Sequence, residues 1–364
     1  MIIILDDSVA SDEYLLRADT QAAVENLYVS MGRGEHYVLA SRLTLQKMLT
    51  ANVNSVNVKA IFEWNLRNYA FLAGLPKIVP PGIVVVAEGA TSKLEDGRWQ
   101  MAVGEIARAG VRPVVLLAEN SVDARIFRHA AKHYLISQKL GEVNISVEDR
   151  NGNGSGIATE LRNLLDRRVE WCLCIPDSDR KCPDGAFGVN AQQCGSVADG
   201  ATWPMSFRTT SGRELENDVP RTALNDVVSA RVAHWREHSD LVERVCGAVL
   251  PYADIRRGTR PCDVDEFSAG TRERAYWTEV VRLYAEAIPK EEACSRSGEC
   301  DRVRGCALLP SSGEGVGAAI LDMLDRESAH ASYKQHKSSS NFDSWLDLGR
   351  VVATQGLSPK RMRL

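Results

Sequence analysis

Acidic residues follow two apolar segments near the middle of the chain. Glu119 comes directly after the segment 114–118, and Asp177 and Asp179 follow the segment 170–175. If both segments are parallel strands, their carboxyl ends meet at one edge of a sheet, where ligands of such sheets bind. Clustered carboxylates repel one another unless a divalent cation neutralises them, and oxygen ligands suit Mg²⁺ or Mn²⁺. The spacing therefore predicts a magnesium or manganese site.

Two glutamates further along the chain could complete this site. Glu214 and Glu216 precede Pro220, which suits the first turn of a helix beginning near Asp218. That placement leaves Glu216 just before the helix, close to the carboxyl edge of the sheet. We therefore predict Glu216 as a direct or water-bridged metal ligand. Glu214 is predicted to lie behind it or to pair with Arg213.

The elements that must position these residues alternate between strands and helices. This alternation favours an α/β fold with a parallel sheet flanked by helices. Ser121 is predicted to cap the first helix of the series. The predicted order is strand 114–118, helix 122–135, strand 143–147 followed by Glu148 and Asp149, a Gly/Asn turn at 151–156, helix 157–165, strand 170–175, a loop at 181–204 and strand 206–210.

The predicted secondary structure differs on the two sides of this central region. We therefore predict three domains, at 1–110, 111–225 and 226–364. The N-terminal region mixes strands and helices, whereas the chain after Pro220 is predicted to be helical. The N-terminal elements are strands 1–5 and 83–87 and helices 20–30, 41–49 and 58–73. The C-terminal elements are helices 222–250, 271–288 and 341–352, with flexible joints at 311–317 and 338–340.

Composition restricts the function classes further. The chain has 364 residues, 44% of them hydrophobic, and a net charge of -4. This excludes a wholly basic surface but allows a local basic groove. The apolar stretches are too short to span a membrane, and no leader peptide is apparent, so we expect a cytoplasmic protein without a membrane partner. The nine cysteines are expected to be reduced thiols. Structural zinc at Cys294, Cys300 and Cys306 is a less favoured alternative.

The segments around these acids resemble the motifs of TOPRIM domains. Glu119 with the helix behind it resembles the first motif, and Asp177-Ser178-Asp179 resembles the Asp-x-Asp motif. The turn 151–156 stands where these domains have a glycine-rich turn. The segment 213–217 resembles the third acidic motif of TOPRIM nucleases of the overcoming-lysogenization-defect type and of related bacterial antiphage nucleases, whose Glu-Asn pair matches Glu216-Asn217. The chain departs from the family at Asn120, where TOPRIM domains usually have Gly.

The resemblance implies an Mg²⁺- or Mn²⁺-dependent endonuclease that hydrolyses phosphodiester bonds in DNA or RNA. It also implies an antiviral defence role, with a regulatory or ATPase protein as partner. The C-terminal helices could provide the surface on which such a partner docks. The implied catalytic and metal-binding residues are Glu119, Asp177, Asp179 and Glu216, with Asp123 and Glu214 as additional candidates.

Three alternatives remain open on the sequence. Glu88, which also follows a strand and precedes a Gly, could replace Glu119 as the first acidic residue. A PIN-like ribonuclease could be built on Asp6 and Asp7 at the end of the first strand. A non-catalytic α/β regulatory or binding module with a degenerate site would explain Asn120.

Overall fold

The computed structural model describes residues 1–51, 53–288 and 307–362 and confirms the α/β class, with parallel sheets flanked by helices. The zinc alternative at Cys294, Cys300 and Cys306 lies outside the described residues. The three predicted domain boundaries stay a prediction. By contacts, the chain forms a first unit (Met1–Ile175, Gln193–Arg208 and Leu346–Leu364) and a second unit (Pro176–Gln192 and Thr209–Trp345).

The first unit begins with a five-stranded sheet in the order β2-β1-β3-β5-β4. All its neighbouring strands are parallel except β4, which pairs antiparallel with β5. The predicted strands at 1–5 and 83–87 are confirmed, whereas three strands were not predicted. The strands are β1 (Ile2–Leu5), β2 (Tyr37–Ala40), β3 (Ile83–Val86), β4 (Ser92–Lys93) and β5 (Trp99–Ala102).

A second, wholly parallel sheet in the same unit has the order β10-β9-β6-β8, and a short antiparallel pair joins β7 to β11. The prediction of one strand at 143–147 is wrong, because two strands cover this region. Glu148 and Asp149 lie inside the second of these strands. The strands are β6 (Val114–Ala118), β7 (Asn144–Ile145), β8 (Val147–Asn151), β9 (Cys172–Ile175), β10 (Met205–Phe207) and β11 (Leu357–Ser358).

Helices flank both sheets of the first unit. The predicted helix at 58–73 is two helices, and the segment 181–204, predicted as a loop, contains a further helix. The six described cysteines, among them Cys172 and Cys174 of β9, are free thiols. The helices are α1 (Ala18–Gly32), α2 (Arg42–Ala51), α3 (Val56–Arg67), α4 (Tyr69–Gly74), α5 (Val103–Ala109), α6 (Ser121–Ser137), α7 (Ile157–Arg167) and α8 (Val189–Asp199).

The second unit is mainly helical. The single helix predicted at 222–250 is interrupted before His234, whose φ of 60° lies in the left-handed region. None of the described helices is long and apolar enough to cross a membrane. The helices are α9 (Leu215–Asp218), α10 (Arg221–Ser229), α11 (Trp235–Cys246), α12 (Arg272–Ala287), α13 (Val316–Arg326), α14 (Ala329–His336) and α15 (Phe342–Gly356), the last lying mostly in the first unit.

Gly349 is where α15 meets the backbone of α6. A Cβ at this position would lie 2.1 Å from the carbonyl oxygen of Ala130 and 2.5 Å from its carbon. We predict that Gly349→Ala lowers the free energy of unfolding by about 1–3 kcal/mol, the usual cost of overpacking. Urea denaturation of the intact chain measures the change.

Gly104 in α5 provides the matched control, because a Cβ there has no neighbour within 4 Å. Gly104→Ala should be neutral or stabilise the protein by about 0.5–1 kcal/mol, because alanine restricts the unfolded chain. Equal stability of the two variants would contradict a close contact between α6 and α15.

His36 is a buried histidine in the first unit. Its Nε2–H donates to the carbonyl oxygen of Arg112 at 2.8 Å, and the ring lies 5.3 Å from that of Trp171. Burial lowers the pKa of His36 to about 3, so the folded protein keeps this ring neutral. The unfolded chain takes up this proton below its ordinary pKa of about 6.5. The contribution of His36 to stability is therefore present above pH 6.5 and is lost as the pH falls towards 3.

We predict that this titration lowers the free energy of unfolding by about 2 kcal/mol between pH 7 and pH 5. His36→Gln keeps a side-chain N–H donor but does not titrate, so its stability should fall less over this range. Urea denaturation at both pH values checks the difference. His330→Gln, at an exposed position, serves as the control for the substitution itself and should change the stability at pH 7 by less than about 0.5 kcal/mol.

Candidate active site

The first candidate, Glu119, lies in the first unit immediately after β6. The predicted glycine-rich turn packs against it, since the N–H groups of Gly152 and Gly154 donate to the carbonyl oxygens of Ala118 and Glu119 at 2.8 and 3.1 Å. A Cβ on Gly152 would lie 2.8 Å from the Ala118 oxygen, so glycine is required for this approach. Ala118 also pairs with Ile175, so the ends of β6 and β9 are neighbours in the sheet.

Asn120, the departure from the TOPRIM pattern, has a structural role. Its Oδ1 accepts hydrogen bonds from the N–H groups of Val122 and Asp123 at 2.9 and 3.0 Å, so Asn120 caps α6. The prediction of Ser121 as the cap is therefore wrong by one residue. The Nδ2 of Asn120 also donates to Asp123 Oδ2 at 2.6 Å. This contact holds the Asp123 carboxylate at the first turn of the helix.

The segment carrying Asp177 is fixed to the start of α9 within the second unit. Asp177 is buried, and its Oδ1 accepts a hydrogen bond from the N–H of Leu215 at 3.0 Å. The neighbouring Ser178 is fully buried and donates from its hydroxyl to the carbonyl oxygen of Gly212 at 2.6 Å. These bonds position Asp177 beside the segment with the two glutamates.

Asp179 lies at a sharp turn of the same segment. Its φ of 52° is in the left-handed region, and its N–H donates to the carbonyl oxygen of Arg213 at 2.8 Å. Its carboxylate packs against Gly188, where a Cβ would lie 2.3 Å from Asp179 Oδ2. The structure thus places Asp179 against the backbone of the loop that precedes α8.

Glu214 caps α9, which begins at Leu215, whereas the sequence predicted a helix starting near Asp218. Its N–H donates to the side-chain oxygen of Asn217 at 2.8 Å, in a capping box that closes the first turn. Asn217 in turn donates to the carbonyl oxygens of Leu250 and Ala253 at 2.7 and 3.0 Å. Glu216 therefore lies inside the helix, and the predicted helix start is wrong by three residues.

Arg256 brings the two glutamates together. Its guanidinium contacts both carboxylate oxygens of Glu214, with Nη2 to Oε1 at 3.0 Å and Nε to Oε2 at 3.2 Å, and it lies 3.7 Å from Glu216 Oε1. The side chains of both glutamates are only 10% exposed, whereas that of Arg256 is 43% exposed. The predicted pair between Glu214 and Arg213 is wrong, because Arg213 pairs with Asp254 at 2.9 Å.

The charges in this cluster influence one another. Burial raises the pKa of Glu216, the charge of Arg256 lowers it, and the charge of Glu214 raises it again. Partial burial opposes the charged form of Arg256, but the hydrogen bond to Glu214 and the charges of Glu216 and Asp177 raise its pKa overall. Glu214 and Glu216 thus form an acidic pair around a single cation. We call this pair, with Arg256 and with Asp177 bound to Leu215 N–H, the Arg256 cluster.

The cluster partly matches the predicted site. Asp177, Glu214 and Glu216 belong to it, Asp123 is held by Asn120, and Asp179 packs against Gly188. Glu119 belongs to the first unit, and its role as a ligand stays a prediction. Among the described residues, no group of three or more His, Cys, Asp or Glu side chains could hold a metal ion as arranged. Within the cluster, Arg256 already neutralises the carboxylates.

The alternative acidic residues also have partners of their own. Asp6 Oδ1 accepts from the N–H of Ser8 at 2.9 Å, and Asp7 Oδ1 accepts from the hydroxyl of Thr44 at 2.6 Å. Glu88 pairs with Arg17 at 3.1 Å and is exposed. The PIN-like alternative and the choice between Glu88 and Glu119 stay predictions.

Sequence analysis did not identify Arg256 as part of the site. It lies in a loop without apolar periodicity, 40 residues after Glu216, and no motif marks it. Comparison of the chain with protein families, with curated proteins and with solved structures finds no match. The function is therefore inferred from the geometry of the site and from the resemblance of its motifs.

Proposed function

We propose that the protein is a metal-dependent nuclease that hydrolyses phosphodiester bonds in DNA or RNA, with a TOPRIM-like catalytic domain at 111–225. The observation that carries this proposal is that Glu214 and Glu216 share one cation, Arg256, while Asp177 is bound to the N–H of Leu215, the residue between the two glutamates. Nearly buried carboxylates of like charge are costly to bring together, and sites of catalysis commonly contain such groups.

The cluster fits Mg²⁺ or Mn²⁺ in the kind of ligand that it offers. All three acidic side chains provide oxygen atoms, which these hard cations prefer. Arg256 now occupies the cationic position, but its side chain is 43% exposed and can turn towards solvent. Asp177 and Glu216 would hold the metal, with Asp179 proposed as a further ligand from the sequence.

The protein residues have separate roles in this proposal. A bound metal would supply an activated water and stabilise charge on the leaving oxygen. The bond from Leu215 N–H orients Asp177, and the capping box of α9 orients Glu214 and Glu216. When the metal is absent, Arg256 stabilises the carboxylates by neutralising them.

The resemblance to antiphage nucleases supports a role as the effector of a bacterial defence system. A nuclease of this kind needs control by a partner, and we propose a regulatory or ATPase protein in that role. This proposal rests on the motifs, because fold and site chemistry do not identify a protein partner.

A non-catalytic regulatory or binding module is the second candidate. The observation that favours it is the Arg256 cluster itself, because a permanent ion pair would neutralise the carboxylates without a metal. In this case the acidic residues would only stabilise the second unit.

Incubation of the purified protein with plasmid, linear DNA and RNA separates the two candidates. We expect cleavage of at least one substrate with Mg²⁺ or Mn²⁺ and none with EDTA. Cleavage that persists in EDTA would contradict the metal-dependent mechanism. Intact substrates under all conditions would favour the non-catalytic module.

A further inference from the structure

A pocket lined by four cations and three acidic residues lies in the second unit, and its lining residue Arg257 directly follows Arg256. Its volume is about 150 Å³, and Arg213 and Asp254 contribute to its wall. This is smaller than the roughly 300–1,000 Å³ of sites that enclose a drug-sized ligand, so the pocket suits a group of about phosphate size. Its wall holds the cations Lys181, Arg213, Arg257 and Arg260 together with three acidic residues, and Arg213 and Arg257 pair with Asp254 and Glu266 at 2.9 and 3.1 Å.

Two arginines at this surface have buried N–H groups that are not satisfied. Among the described residues, neither Arg180 Nε nor Arg213 Nε has a hydrogen-bond partner, although both atoms are buried. The Nη2 atoms of the same side chains are held, by the carbonyl oxygen of Ser211 at 3.2 Å and by Asp254 at 2.9 Å. Buried donors without acceptors are costly, and a phosphate oxygen is a strong acceptor for arginine.

Two aromatic rings lie close to the neighbouring cations Arg180 and Lys181. The Arg180 guanidinium lies 5.2 Å from the ring centre of Phe187, and Lys181 Nζ lies 5.7 Å from that of Phe267. Phe187 is 43% exposed, so much of its ring is open to solvent. Trp277 donates from Nε1 to the carbonyl oxygen of Lys181 at 2.6 Å, which fixes the loop with both cations.

We propose that this surface, defined by Arg180, Lys181, Phe187, Arg213, Arg257 and Phe267, binds an unpaired nucleic-acid strand. The proposal rests on the proposed nuclease function and specifies its substrate class. Phosphates of the strand bind at the cations of the pocket wall, and a base stacks on the exposed ring of Phe187. Bases in a duplex are already stacked on each other, whereas bases of single strands commonly stack on aromatic side chains of proteins.

The position of the pocket connects binding to the acidic cluster. Arg213 lies in its wall, the carbonyl oxygen of Arg213 accepts the N–H of Asp179, and Glu214 is the next residue in the chain. Arg257, also in the wall, follows Arg256 directly. A strand held here by its phosphates therefore passes beside Asp179 and Glu214.

Fluorescence anisotropy in EDTA tests binding without cleavage. The probes are labelled single-stranded DNA, single-stranded RNA and a DNA duplex of the same sequence and length. We expect the intact protein to bind at least one single strand about ten times more tightly than the duplex. Phe187→Ala should weaken single-strand binding by about 5- to 100-fold, the range for losing one stacked base. Lys181→Ala should weaken it as well and reduce the salt dependence by about one phosphate contact.

Two variants control for the removal of any exposed aromatic ring or any exposed cation. Phe71→Ala removes an exposed aromatic ring in the first unit, and Arg326→Ala removes an exposed cation in α13. Neither should alter binding of the single strand. Thermal melting of all variants checks that the fold is retained.

The outcomes separate this inference from the proposed function. Equal binding of duplex and single strand, or unchanged binding by Phe187→Ala and Lys181→Ala, would overturn the inference even if the protein cleaves nucleic acid. Selective binding of the single strand with the expected losses would support the inference even if no cleavage is found. In that case only the nuclease proposal fails.

Discussion

Asp177→Asn should reduce metal-dependent cleavage by about 100-fold or more, the scale expected when a group that stabilises the transition state is removed. Asparagine keeps the side-chain oxygen that accepts from Leu215 N–H, so the start of α9 should retain its position. Only the negative charge is lost. Thermal stability should therefore change little while the rate falls. The measurement is the initial rate of cleavage of the best substrate at saturating Mg²⁺ or Mn²⁺.

Asp199→Asn is the matched control, because Asp199 is an exposed residue at the end of α8. This variant should cleave at the wild-type rate. Full activity of Asp177→Asn would exclude Asp177 as a metal ligand. A variant that loses activity and unfolds at a much lower temperature would instead indicate a structural role.

The strands were predictable where the sequence contains an uninterrupted apolar segment. β6 has the predicted bounds because five consecutive apolar residues are all buried. β2 and β5 are only four residues long, so their pairing with β1 and β3 decides their conformation more than their local pattern does. For such short strands the partners lie far away in the sequence, and local pattern is a poor guide.

Local sequence pattern was also a poor guide to some of the helices. The helix predicted at 222–250 breaks before His234 without a proline or glycine between residues 229 and 235 that would announce the end. α8 was missed because its apolar residues follow no strong helical periodicity and a glycine, Gly195, lies within it. Tertiary packing, which a local pattern does not contain, determines both elements.

The acidic residues were partly predictable because they follow strands or lie near a helix start. The structure places Asp177 at the N–H of Leu215 and Glu216 beside Arg256, and their role as metal ligands stays a prediction. The neutralising cation was not predictable, because Arg256 reaches the glutamates from a loop far along the chain. A single sequence indicates which carboxylates could converge, but it does not indicate which cation balances them.

Arg256→Met should lower the free energy of unfolding by about 3 kcal/mol, the lower end of the range for removing one partner of a buried ion pair. The lower end applies because Arg256 is 43% exposed, while Glu214 and Glu216 are each 10% exposed. Methionine keeps an apolar stem of similar length but leaves two neighbouring carboxylates without a counter-ion. Urea denaturation in EDTA measures the loss. Arg326→Met removes a cation from an exposed pair with Asp322 at 2.8 Å, and should cost less than about 1 kcal/mol.

The same variant tests whether a metal can occupy the position of Arg256. If the carboxylates bind Mg²⁺ or Mn²⁺, the metal should stabilise Arg256→Met more than it stabilises the wild type, because no guanidinium competes for the carboxylates. Adding Glu216→Gln should remove part of this metal-dependent gain, since one charged ligand is lost. Equal stabilisation of wild type and Arg256→Met would show that the metal does not bind at the cluster. Wild-type stability of Arg256→Met in EDTA would show that the guanidinium does not neutralise the two glutamates in solution.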